Sequence, residues 1–236
     1  MHKTRRRARR ASSSADCVER PLSANRLKLT EIFRSLQGEA DSVGIPTVFV
    51  RLTGCPLRCR YCDTAYAFHG GEWWTLSDIL GRVRELEVSH VCVTGGEPLA
   101  QPAVFELMTM LCDAGYRVSV ETSGAMPLER VDPRVVKVVD VKTPASGEES
   151  RNRYDELLRL SATDLVKFVI ADRADYEWSR AQLRERALAE RCTVLFSPSH
   201  AELPARDLAD WILEDRLPVR FQIQLHKYLW GDVPGR

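Results

Sequence analysis

The sequence predicts an α/β fold: a partial (open) β/α barrel with mostly parallel strands. Two observations carry this. From Leu27 onward, short β-branched apolar runs alternate with amphipathic helical patterns, and strand–helix–strand repetition joins parallel strands through right-handed crossovers. About six such units fit in the chain, short of a closed eight-fold barrel. In addition, every motif with chemical character falls just after a predicted strand. That is the carboxyl edge of the sheet, where such folds place their sites.

The elements follow in order. Residues 1–24 are rich in Arg, Ala and Ser and poor in large apolar residues, so they read as a disordered basic extension ahead of a single domain over 25–236. A transit peptide and a nucleic-acid-binding arm are the functional readings of the same stretch. Leu27–Phe33 alternates with period two and Pro46–Leu52 is nearly all apolar, so both are strands. Thr75 and Asp78 open a helix whose apolar face is Leu76, Ile79, Leu80, Val83 and Leu86. His90–Thr94 is a strand, Pro102–Ala114 a helix stopped by Gly115, and Tyr116–Glu121 and Val135–Val141 are strands. Tyr154–Leu160 reads as helix, Asp164–Ile170 as strand and Asp175–Glu190 as a long amphipathic helix. Cys192–Phe196, Ala205–Glu214 and Val219–Gln224 complete the chain as strand, helix and strand. Trp73 and Trp74 suit either a pocket wall or simple packing.

Composition narrows the function. The chain has 236 residues, 44% hydrophobic and 28% charged, an ordinary globular composition. No apolar run approaches the roughly 20 residues of a membrane helix. Residues 1–20 hold seven basic and two acidic residues, which leaves 27 basic against 31 acidic for the rest. The mildly acidic body argues against nucleic acid as a partner. Seven cysteines without a paired framework, and a start lacking an apolar signal region, point to a reducing cytoplasm.

Three of those cysteines carry the chemistry. Cys55, Cys59 and Cys62 form C-x-x-x-C-x-x-C in one short loop directly after the strand Pro46–Leu52. Thiolates this close suit a shared metal centre. Three ligands leave zinc one short, but suit a [4Fe-4S] cluster with one iron open to a further ligand. A structural zinc loop or plain core cysteines are the other readings. Cys92, Cys112 and Cys192 lie on predicted strands or a helix and read as core, and Cys17 lies in the extension.

With Tyr61 ahead of the last cysteine, and Thr94-Gly95-Gly96-Glu97-Pro98 after the next strand, the loop resembles the radical S-adenosylmethionine (SAM) superfamily. Further stretches resemble one family within it, the 7-carboxy-7-deazaguanine synthases. They are Phe33-Arg34-Ser35-Leu36-Gln37-Gly38-Glu39, Arg51, Asp63-Thr64, Glu121-Thr122-Ser123-Gly124, Asp140-Val141-Lys142-Thr143-Pro144 and Gln224-Leu225-His226-Lys227-Tyr228. The likeness runs from about Leu29 to the C-terminus.

That resemblance implies a lyase that converts 6-carboxy-5,6,7,8-tetrahydropterin to 7-carboxy-7-deazaguanine with loss of ammonia, in queuosine and 7-deazapurine biosynthesis. The radical comes from SAM, so no side chain is assigned as catalytic. The implied cofactors are a [4Fe-4S] cluster on Cys55, Cys59 and Cys62, SAM, and Mg²⁺ on Thr64. Tyr61, Cys62, Asp63, Gly96, Val141, Lys142 and Thr143 would contact SAM. Leu36, Gln37, Gly38, Arg51 and Thr94 would contact the pterin, and a guanidinium fork at Arg51 suits its carboxylate. An electron donor such as a flavodoxin or ferredoxin, and a homodimer, are implied too. Ala40 follows Glu39 where such loops often carry glycine, and the segment around His226 and Pro234 is expected near the substrate.

Two rivals stand beside this. An activase acting on a protein partner would share the cysteine and Gly-Gly motifs, but the Gln-Gly-Glu loop, Arg51 and Asp63-Thr64 favour a small anionic substrate. A non-catalytic metal or iron–sulfur module would have no use for the Gly-Gly-Glu turn.

Overall fold

The computed structural model describes residues 25–235; the expectations for the basic extension and Cys17 lie outside them. Among the described residues, nine strands form one sheet in the order β3-β1-β2-β4-β5-β6-β7-β8-β9. They are β1 (Arg26–Leu36), β2 (Pro46–Leu52), β3 (Glu72–Thr75), β4 (His90–Gly95), β5 (Arg117–Thr122), β6 (Val136–Asp140), β7 (Leu165–Ile170), β8 (Thr193–Pro198) and β9 (Arg220–Phe221). From β2 to β9 every pairing is parallel, whereas β1 pairs antiparallel with both β2 and β3. The helices are α1 (Leu76–Glu85), α2 (Val104–Asp113), α3 (Arg173–Glu185), α4 (Ala205–Glu214) and α5 (Leu225–Trp230).

Strand alternation sorts the core into two parts. One face of the sheet presents Val91, Val93, Val118, Val120, Val139, Val166, Phe168 and Val194 to helix residues Ile79, Val83, Leu107, Leu111, Leu183 and Leu208 in one apolar cluster. On the other face, Val138, Leu165 and Leu195 surround Ala40 as a small apolar plug. Ala40 belongs to the β1–β2 loop, so this contact curls the sheet. Gln222 fastens the curl: its Oε1 accepts from the Ala40 N–H and its Nε2 donates to the Ala40 carbonyl, both at 3.0 Å. Ala40 has φ 65°, which explains the family's glycine here. In this chain the methyl group packs into the plug instead.

The differences from the expected elements have local causes. Thr75 caps α1 as expected, accepting from the Asp78 N–H at 3.1 Å. The predicted helix 175–190 starts earlier, where Asp172 accepts from the Asp175 N–H at 2.8 Å. It ends at Glu185, because Ala187 turns left-handed at φ 49°. Tyr154–Leu160 forms only a 3₁₀ turn, Glu156–Arg159, and the last strand shrinks from Val219–Gln224 to Arg220–Phe221 as the chain turns inward through Gln222. Trp73 and Trp74 form an edge strand against β1. Trp74 packs on the core while Trp73 stays exposed, which favours packing over a pocket wall. Among the described residues no helix is long and apolar enough to cross a membrane.

Candidate active site

The cysteine loop leaves β2 at Leu52 and opens onto a cavity of about 520 Å³ at the carboxyl edge of the sheet. Cys55, Cys59 and Cys62 all line it. The loop is tied across the barrel mouth: the Arg60 N–H donates to the Ser146 carbonyl at 2.9 Å, and the Arg60 guanidinium pairs with Glu202 at 2.5 Å. Burial pushes the Cys59 thiol up to about 11 and raises Cys55 and Cys62 as well. As thiolates, the three need a bound positive centre. Three thiols from one loop leave a single zinc ion one ligand short, whereas a cluster spreads them over three irons. The donor set therefore fits a [4Fe-4S] cluster.

Gly95 and Gly96 close the loop from beneath. Gly95 has φ 134°, and a Cβ there would overlap the Leu52 carbonyl oxygen; a Cβ on Gly96 would overlap the Gly54 carbonyl oxygen. The missing side chains thus seat β4 against the start of the cysteine loop, a close approach that only glycine permits. Glu97 is fully buried and structural. Its carboxylate accepts from the Leu99 and Ser123 N–H groups and from the Thr122 and Ser123 hydroxyls, at 2.5 to 2.9 Å.

Tyr61, Cys62, Asp63, Gly96 and Lys142 line the cavity; Val141 and Thr143 do not. Val141 faces the helix-packed core. Thr143 is buried behind Tyr61: its hydroxyl donates to Asp175 at 2.9 Å and lies 3.1 Å from the Tyr61 oxygen, which donates to the Val169 carbonyl at 3.2 Å. Asn152 clamps the Lys142 backbone from both sides, at 2.9 and 2.8 Å. Thr64 lines the cavity beside Asp63, whose carboxylate accepts from its hydroxyl at 2.8 Å.

Leu36, Gln37, Gly38, Arg51 and Thr94 also line the cavity. Gly38 leaves room for His226, whose ring would overlap a Cβ there, and the Gly38 carbonyl accepts from the Leu225 N–H at 3.1 Å. This brings α5, and the segment Gly231–Gly235 behind it, onto the cavity.

Of the charged residues of the floor, sequence reasoning assigned Lys142 to SAM and gave no role to Glu39, Glu121, Asp140 and Lys167. Thr94 donates to Glu121 at 3.2 Å, and Gln37 reaches the same carboxyl at 3.4 Å. Lys167 pairs with Glu39 at 2.5 Å and Asp140 at 3.5 Å, and Asp140 pairs with Lys142 at 3.0 Å. Burial, then the Glu39 charge, raises the Glu121 carboxyl above the ordinary range. Burial works against the Lys167 charge, but Glu39, Asp140 and Glu121 outweigh it and keep the ammonium protonated. A signal did exist. Parallel strands covered on both faces read as continuous apolar runs, and Lys167 in Leu-Val-Lys-Phe-Val-Ile and Glu121 in Val-Ser-Val-Glu break that pattern.

A family model described as Radical SAM superfamily matches residues 49–139. The chain is 44% identical over 208 residues to a protein of Chlorobaculum tepidum named 7-carboxy-7-deazaguanine synthase, covering 87% of this chain and 94% of that one. It is 45% identical over 219 residues to a protein of the same name from Koribacter versatilis, covering 86% and 97%. Among solved structures it is similar to QueE from Escherichia coli, with TM-score 0.70 and 24% identity over 85% of this chain and 95% of that one, a likeness of fold.

Proposed function

The chain belongs to the 7-carboxy-7-deazaguanine synthases of the radical SAM superfamily, and on that premise we propose the following roles for its cavity residues. The enzyme is a lyase of the queuosine pathway acting on a small molecule, 6-carboxy-5,6,7,8-tetrahydropterin, and its cofactors are a [4Fe-4S] cluster and SAM. When bound, these two supply the electron and the 5′-deoxyadenosyl radical that removes hydrogen from C6, before ring contraction and loss of ammonia yield 7-carboxy-7-deazaguanine.

Cys55, Cys59 and Cys62 hold the cluster. Tyr61, Asp63, Gly96 and Lys142 line the SAM-binding part of the cavity, and Val141 and Thr143 support it from behind. Arg51 offers its guanidinium to the substrate carboxylate. Gln37, Thr94 and the half-buried Glu121 carboxyl offer hydrogen-bonding partners to the polar edge of the pterin. The plug below and the C-terminal segment above limit water, which a radical intermediate requires. The observation that carries this reading is that one cavity is lined both by three thiols of a single loop and by an arginine fork among buried polar groups.

Mg²⁺ is assigned to the Thr64 hydroxyl, with substrate oxygens and water completing its shell. Asp63 beside it carries a carboxylate held below the usual range. Partial burial opposes this, but the Thr64 hydroxyl, Lys227 and Lys167 prevail. A low-potential flavodoxin or ferredoxin as electron donor, a homodimer and a cytoplasmic setting complete the proposal.

The test is anaerobic turnover of the pterin by cluster-loaded enzyme, with and without Mg²⁺. Methionine, 5′-deoxyadenosine and 7-carboxy-7-deazaguanine are expected without any protein partner; no deoxyadenosine would refute the assignment. Thr64→Ala should weaken Mg²⁺ stimulation by at least the roughly tenfold that even outer-shell changes cost a metal site, with the cluster's absorption unchanged. Loss of the cluster in that variant would mean that Thr64 is structural.

A further inference from the structure

Arg51 does not stand alone in the cavity wall. Its Nε donates to Glu31 Oε1 at 2.7 Å, and Glu31 is its cross-strand partner where β1 pairs with β2. The register shifts between Leu29 and Glu31. Such a bulge re-aims neighbouring side chains, and it falls directly beside this pair. The same Oε1 accepts from the Tyr66 hydroxyl at 2.8 Å. The Arg51 guanidinium carbon lies 5.6 Å from the Phe33 ring centre and 5.8 Å from that of Tyr66, and Phe33 in turn stacks on Phe49 at 5.1 Å. The guanidinium is thus fixed in plane by two rings and in rotation by one carboxylate.

A guanidinium has five N–H donors in a rigid fork, and a carboxylate can dock on the side that includes Nε or end-on across the two terminal nitrogens. Glu31 occupies Nε. We propose that Glu31 is the positioning residue that turns Arg51 so that its two terminal nitrogens receive the substrate carboxylate, with Tyr66 holding Glu31 in place. This deepens the proposed function and rests on its reading of Arg51 as the carboxylate-binding group. Charge alone predicts the opposite effect: as a bare counter-charge, Glu31 would repel the substrate, and its removal would tighten binding.

The test uses cluster-loaded enzyme with SAM under anaerobic conditions. It measures equilibrium binding of fluorescent 6-carboxypterin, an oxidised analogue with no hydrogen at C6, against pterin, which lacks the carboxylate. Glu31→Ala is expected to weaken 6-carboxypterin about tenfold, the loss of a charge-assisted hydrogen bond's worth of ordering, with pterin changed less than about twofold. Glu31→Gln keeps the acceptor and should retain most of the affinity. Tyr66→Phe, which removes one hydroxyl, should cost roughly threefold and only for the carboxylated ligand. Unchanged or tighter 6-carboxypterin binding in Glu31→Ala, or equal losses for both ligands, overturns the proposal. So does an absent or unselective effect in Tyr66→Phe, should Glu31→Ala not fold. Arg51→Ala separates the two levels. If it abolishes the preference for the carboxylate while the Glu31 variants do not, only the positioning role fails. If it leaves the preference intact, the reading of Arg51 itself fails.

Discussion

Lys167→Met is expected to destabilise the folded enzyme by about 3–5 kcal/mol, the usual cost of stripping one partner from a buried ion pair. The ammonium sits between Glu39 and Asp140 with its side chain 9% exposed, and Glu121 adds to the same field. Methionine fills similar space but leaves Glu39 without its cation. The pH dependence separates this cause from lost packing. Burial and the Glu39 charge already raise the Glu121 carboxyl while Lys167 pulls it down, so removing Lys167 leaves it further above its unfolded value. Such groups favour the folded state below the unfolded pKa and disfavour it as pH rises through the folded pKa. The deficit against wild type, read from urea unfolding of cluster-loaded protein, should be largest at neutral pH and shrink toward about pH 4. A deficit independent of pH would mean that volume, not charge, makes Lys167 necessary.

Gly96→Ala is expected to lower turnover about a hundredfold, the scale at which a misplacement near 1 Å acts on a reaction that depends on orientation. The new methyl group would overlap the Gly54 carbonyl and crowd the Cys55 Cβ at 3.0 Å. Both are parts of the cysteine loop and neither is a side-chain tip able to swing away. Iron content and cluster absorption should fall with activity, because the displaced element carries the first ligand. Gly81→Ala is the control. A Cβ there meets nothing within 4 Å, and in the interior of α1 alanine should stabilise slightly. Full iron loading with undiminished turnover in Gly96→Ala would show that the loop can retreat from β4 at no cost to the site.

These expected results rest on features of differing legibility. The strand Pro46–Leu52 and the helix Ala205–Glu214 match the expected bounds, because apolar periodicity and cap residues are local signals. The edge strand at Trp73–Trp74 has no pattern of its own in the sequence: only four residues long, it exists by pairing with β1, 43 to 49 positions earlier. Likewise α5 is six residues set by the Gly38 contact rather than by its own pattern. The Gly-Gly turn reads as functional in the sequence, but its glycines answer to the backbone of the cysteine loop, which Thr94–Pro98 alone does not reveal.

The sequence carries most of the strands and helices, the placement of three thiols at a strand end and the family to which they belong. All of these are written within a few residues of one another, as periodicity, spacing and motif. The pairings come from the folded chain: Lys167 with Glu39, Gln222 with Ala40, Glu31 with Arg51 and Tyr66. Period-two alternation announces that a strand residue faces inward. Which of several inward charges it meets depends on how a nine-stranded sheet curls, and that curl is set by contacts between residues far apart in the chain.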